Sequence, residues 1–103
     1  MKLQTDYPVA TTSPDHIHPQ GTRVDNHTSL ELLGELKEYG ATSLLDLGCA
    51  GGQLIIDAWS QGFRAAGLEG SDYGVSFGRQ NWHDYHNSLL FTCDISYPYQ
   101  MVN

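Results

Sequence analysis

The sequence predicts an α/β fold, a parallel sheet flanked by helices, of which three strands are present, the first half of a doubly wound sheet. Three observations carry this reading. Apolar runs at residues 42–47, 63–68 and 89–93 are too short for helices and end on glycine or acidic residues. The stretches between them have the length and spacing of helices, so each strand is followed by a crossover. Strands connected in this way pair in parallel with right-handed connections.

Residues 1–27 read as an irregular leader, punctuated by Pro8, Pro14, Pro19 and Gly21, with no period in the apolar residues. A helix is expected to start near Asn26 to Thr28. Thr28 and Glu31 have capping-box spacing, so the hydroxyl accepts from one freed backbone N–H and the carboxylate from another. Leu30, Leu33, Leu36 and Tyr39 then line one face, and Gly40 suits the left-handed residue that closes a helix. The run Thr42-Ser43-Leu44-Leu45-Asp46-Leu47 lacks alternation, as a strand covered on both faces does. A glycine-rich turn follows, Gly48-Cys49-Ala50-Gly51-Gly52, and then a helix carrying Leu54, Ile55, Ala58 and Trp59 inward until Gly62. The second strand ends on Glu69-Gly70. Residues 71–86 read as one helix with Tyr73, Phe77, Trp82 and Tyr85 toward the core, weakened by Gly74 and Gly78. The third strand ends at Cys93-Asp94, and Tyr97-Pro98-Tyr99 reads as a turn toward a further helix.

A chain of 103 residues has room for one small domain or a piece of a larger one. Its net charge is −7, and its five Lys and Arg residues are scattered, so this segment is not built to grip a nucleic-acid backbone. No apolar stretch reaches the length of a membrane span, and the first residues lack the apolar core of a secretory signal, which makes a cytoplasmic protein the expectation. Cys49 and Cys93 have no metal spacing and fall on strands expected not to be neighbours, so both are expected reduced and buried. His16 and His18 alternate, and His83 and His86 lie three apart, but neither pair has a local third ligand, and no metal is expected. For His16, His18 and His27 a loop packed over a bound ligand is the milder alternative to metal binding, and their role is left open by the sequence.

Ligands of open α/β sheets bind outside the carboxyl ends of the strands. Here those ends present Asp46, Glu69 and Asp94, with a turn poor in side chains between the first and second. Carboxylates accept hydrogen bonds from ammonium, ribose and exocyclic amine groups and favour positive charge, and a Gly/Ala loop lets a nucleoside approach the backbone. Taken singly, each acid has a plainer role: Asp46 as a turn cap, Glu69 as the ribose acid of a dinucleotide fold, Asp94 as a solvated loop residue.

Leu45-Asp46-Leu47-Gly48-Cys49-Ala50-Gly51-Gly52 resembles the Asp-x-Gly-x-Gly-x-Gly motif of class I, Rossmann-like S-adenosylmethionine-dependent methyltransferases, with Ala50 in place of the middle glycine. Leu68-Glu69-Gly70 is similar to their acidic second-strand motif and Cys93-Asp94-Ile95 to the acidic motif that ends the third, at intervals of 23 and 25 residues. The resemblance covers residues 42–96. It implies that Asp46, Gly48, Cys49, Ala50 and Gly52 face the methionine part of S-adenosylmethionine, Glu69 and Gly70 the ribose, and Asp94 and Ile95 the adenine. It also implies that residues 28–103 are the N-terminal part of a methyltransferase domain, a fragment without the elements that choose the methyl acceptor. Neither the acceptor nor a catalytic base can be named from these residues.

Two rivals stand beside it. An NAD-binding oxidoreductase half-domain would want glycine where Ala50 and Gln53 stand and would set Asp46 beside a pyrophosphate. A non-catalytic Rossmann-like module would use the same fold to bind a partner. In the family's strand order the first strand is central. With its outer neighbour missing, Leu44-Leu45-Asp46-Leu47 is expected to form an exposed edge prone to self-association.

Overall fold

The computed structural model describes residues 1–11 and 30–102. The Thr28 half of the capping box and His16, His18 and His27 lie outside the described residues. The elements run β1 (Lys2–Thr5), α1 (Leu30–Glu38), β2 (Ser43–Leu47), α2 (Gln53–Ser60), β3 (Arg64–Glu69), α3 (Tyr73–Ser76), α4 (Gln80–Tyr85), β4 (Leu90–Thr92) and β5 (Tyr99–Val102). β2, β3 and β4 form a parallel sheet in that spatial order, with Asp46 opposite Gly67 and Glu69 opposite Thr92. The βαβαβ order expected from the sequence is therefore present.

Side-chain alternation divides the sheet between two cores. On the helix face, Ala65 and Leu90 join Leu33, Cys49, Ile55, Ala58, Phe63 and Trp82. On the other face, Ala66, Leu68, Phe91 and Cys93 pack against Leu3, Tyr99 and Met101. The helix face can be packed closely because β3 is built of small residues at its centre. A Cβ on Gly67 would come 2.6 Å from the Cys49 sulfur and 3.0 Å from Ile55, so the loop and α2 press directly on the central strand. Cys49 and Cys93 are free, buried thiols on opposite faces of the sheet.

Several expectations change. The first residues are not irregular throughout: Lys2–Thr5 form β1, which pairs antiparallel with β5 in a two-stranded ribbon over the second core, Lys2 opposite Val102 and Thr5 opposite Tyr99. β5 replaces the expected turn into a helix after Tyr97. Neither strand announces itself, because each is four residues long and its partner is nearly a hundred residues away. The expected helix over 71–86 is two, α3 and α4, broken around Phe77 and Gly78, where Gly78 takes φ +62°. Trp82 is buried, whereas Phe77 is 70% exposed and stacks on Tyr73 instead of entering the core.

β2 is not covered on both faces. Among the described residues it pairs with β3 alone, and Leu45 and Leu47 stay about half exposed because the ribbon lies over β3 and β4. Trp59 is likewise half exposed, its indole N–H donating to the Ala65 carbonyl at 2.8 Å. In α1 only Leu33 and Leu36 of the expected face reach the core, while Leu30 and Tyr39 are exposed. The helix does close at Gly40, whose N–H donates to Lys37, followed by Ala41 to Leu36. No helix among the described residues is long and apolar enough to cross a membrane.

Candidate functional site

The parallel sheet carries Asp46, Glu69 and Asp94 to one rim, at or just beyond the carboxyl ends of three adjacent strands. Asp46 lies one residue before the end of β2, opposite Gly67 and so on the helix face. Glu69 is the last residue of β3 on that same face, and Asp94 follows β4 by two residues. The loop 48–52 joins β2 to α2 along this rim.

The loop owes its shape to three left-handed residues, Gly48 (φ +86°), Ala50 (φ +48°) and Gly52 (φ +84°). Glycine takes that conformation freely, whereas alanine bears a cost of roughly 1 kcal/mol. Ala50 is held there by both of its main-chain groups. Its N–H donates to Glu69 Oε1 at 3.0 Å, and its carbonyl accepts the Trp82 indole N–H at 2.8 Å. Each bond is buried.

The N–H groups of Gly48, Cys49 and Gly52 are also taken up within the chain. Gly48 and Cys49 both donate to the Leu68 carbonyl, at 2.7 and 3.0 Å, and Gly52 donates to Cys49. From behind, the Asn81 side-chain amide donates to the Gly51 carbonyl and to Gln53 Oε1, both at 3.2 Å. A loop with these amides already bonded within the chain offers little to a phosphate, unlike the glycine loops that cradle pyrophosphate with free N–H groups.

Glu69 has a different setting from the one the sequence suggests. It is 6% exposed, and each carboxylate oxygen takes a backbone N–H, Oε1 from Ala50 and Oε2 from Ser71, both at 3.0 Å. Its first role is to tie the glycine loop to the end of β3. Each oxygen keeps a second lone pair that can face a ligand hydroxyl. Asp94 accepts from the backbone N–H and the hydroxyl of Ser96 through Oδ1, which sets its turn and leaves Oδ2 for another donor. Gly70 gives its carbonyl to the Ala10 N–H at 2.9 Å, and Ile95 is half exposed at the end of the rim.

Asp46 is half-buried, and desolvation holds its carboxyl above the ordinary value of 3.8. Burial likewise raises the Cys49 thiol, with the Glu69 and Asp46 carboxylates adding to the effect, and the side chain packs into the core on the helix face. A raised carboxyl stabilises the fold below its unfolded value, and that contribution is lost as pH rises through the folded value. The ionised form of Asp46 is therefore the one that burial penalises, and a nearby cation would favour it. Asp46→Asn is expected to remove the fall in stability that accompanies ionisation of Asp46 as pH rises above the ordinary carboxylate range, as read by thermal unfolding at a series of pH values.

Among the described residues, no group of three His, Cys, Asp or Glu side chains gathers as a metal site requires. His83 faces its neighbour Asp84, and His86 leans on Trp82. Sequence reasoning missed Asn81 and Trp82 as supports of the loop, since a tryptophan at helical spacing reads as core. It also missed Tyr7, whose ring stacks on Tyr97 beside Asp94 with centroids 3.9 Å apart. Comparison of the chain with family models, with curated proteins and with solved structures finds no match.

Proposed function

We propose that the chain binds S-adenosylmethionine on this rim and is the cofactor-binding half of a methyltransferase. The observation that carries the reading is the pairing of three carboxylates, Asp46, Glu69 and Asp94, with a loop whose amides at 48, 49, 50 and 52 are already used. Such a surface favours a ligand that is cationic and rich in donors, and disfavours a pyrophosphate. This supports the methyl donor over NAD.

In this proposal Asp46 attracts the ammonium and sulfonium end across the loop, Glu69 accepts from a ribose hydroxyl with its remaining lone pairs, and Asp94 Oδ2 accepts from the adenine amine. When bound, the sulfonium supplies a methyl group already activated for in-line displacement by a nucleophile. The protein's share is then alignment and charge complementarity. The 48–52 loop and the carboxylates fix the donor, while the acceptor and any base belong to residues not identified among those described. A cytoplasmic setting is part of the proposal, in keeping with two unpaired thiols.

Calorimetric titration with S-adenosylmethionine, S-adenosylhomocysteine and NAD tests the assignment. Preference for the first two is expected, with Asp46→Asn weakening the sulfonium ligand by about 1.5–3 kcal/mol through loss of charge-assisted contacts. Tighter binding of NAD would reverse the cofactor assignment.

A further inference from the structure

The carboxyl ends of β3 and β4 are already bridged by the chain itself. After β1, residues 7–10 cross the rim: the Tyr7 carbonyl accepts the Asp94 N–H at 2.8 Å, and the Ala10 N–H donates to the Gly70 carbonyl at 2.9 Å. The Tyr7 ring lies almost parallel to Tyr97, 14° between planes. Ala10 is buried, and a Cβ on Gly70 would come 2.9 Å from its methyl group. Here a planar ring rests on an aromatic platform, with one backbone donor and one backbone acceptor at adjacent strand ends satisfied beside it. A nucleobase makes the same demands: a ring to stack, a ring nitrogen to accept, an exocyclic amine to donate.

We propose that residues 7–10 are a self-occluding strap that occupies the adenine end of the site, Tyr7 standing on Tyr97 where the base would stack, and that nucleoside binding displaces it. The proposal rests on the cofactor reading above. Tyr97 is then a platform shared by strap and ligand, and the strap sets the apparent affinity, since the open form alone is competent to bind. Displacement is local. The β1–β5 ladder ends at Thr5, before the strap, and Tyr7 is 43% exposed, so its ring can leave without breaking the ladder.

The test uses adenosine and S-adenosylhomocysteine as probes on the full chain, with Tyr7→Ala, Tyr7→Phe and Tyr97→Ala, each checked for an unchanged thermal transition. Loss of the competing ring in Tyr7→Ala is expected to tighten adenosine about two- to tenfold, the range of one aromatic stack. Tyr7→Phe should stay near the parent, and the gain from Tyr7→Ala should disappear in the Tyr97→Ala background, where strap and base both lose their platform. Amide exchange at Ala10 should quicken when the site is saturated. Unchanged or weaker binding by Tyr7→Ala, with Ala10 equally protected at saturation, would overturn the strap and leave the cofactor reading standing. If neither probe binds the parent or Tyr7→Ala, both fall together.

Discussion

Replacing Glu69 by alanine is expected to cost about 3–5 kcal/mol of stability, before any effect on a ligand is read. Both carboxylate oxygens accept buried backbone N–H groups, from Ala50 and Ser71, and hydrogen bonds to a charged acceptor contribute about 1.5–3 kcal/mol each. Alanine leaves two buried donors without partners, and one of them belongs to a residue already in a left-handed conformation. A domain of this size has on the order of 5–15 kcal/mol in total, so the variant sits close to its unfolding threshold. Glu69→Gln keeps one acceptor oxygen and turns an NH₂ group toward the other N–H, for an intermediate loss of about 1–3 kcal/mol. Denaturant unfolding of the two variants measures this ladder. Parent-like stability in Glu69→Ala would mean that the carboxylate does not hold the loop.

Trp82 is the second large expectation. It is 2% exposed in the core on the helix face, and it supplies the donor for the Ala50 carbonyl. Trp82→Ala removes the largest buried side chain and opens a cavity against Leu90 and the loop, a change that typically costs about 3–5 kcal/mol. Trp82→Phe separates packing from hydrogen bonding. Most of the ring volume stays, the indole donor goes, and the loss should fall to about 1–2 kcal/mol. Gly74 marks how tightly the ring is held, since a Cβ there would overlap the Trp82 ring. Equal losses in the two variants would assign the whole effect to the hydrogen bond.

The parallel sheet was legible because its strands are bounded by glycine and acidic residues and separated by helix-length crossovers, patterns contained within about 50 residues. Asp46, Glu69 and Asp94 were legible for the same reason, since strand ends in such a sheet share a rim by topology. The β1–β5 ribbon was not. Its partners lie at opposite ends of the chain, and no local period in Lys2–Thr5 distinguishes a strand from a leader. The break of the 71–86 helix was half legible in Gly78, but the length of α3 depends on Trp82 packing under Gly74, a tertiary fact. The setting of Glu69 was hidden too. A sequence shows an acid at a strand end without showing which amides turn toward it.

Those amides connect the stability of the site to its proposed chemistry. One carboxylate ties the loop to β3, while the loop's N–H groups at 48, 49, 50 and 52 are taken by acceptors within the chain. A mutation that loosens the tether is therefore expected to disturb fold and ligand binding together, whereas Asp46→Asn should separate them.

The most direct measurement is a map of backbone amide shifts in the isotope-labelled chain during titration with S-adenosylhomocysteine, repeated with NAD. Perturbations at Gly48, Gly51, Gly70, Asp94 and Ile95, joined by Tyr7, Ala10 and Tyr97 as the strap is displaced, with Trp59 and Ser60 at the far end of α2 unmoved, are the result expected from a nucleoside seated across the three strand ends. An unshifted rim at saturating ligand, or a rim that responds to NAD alone, would contradict the account.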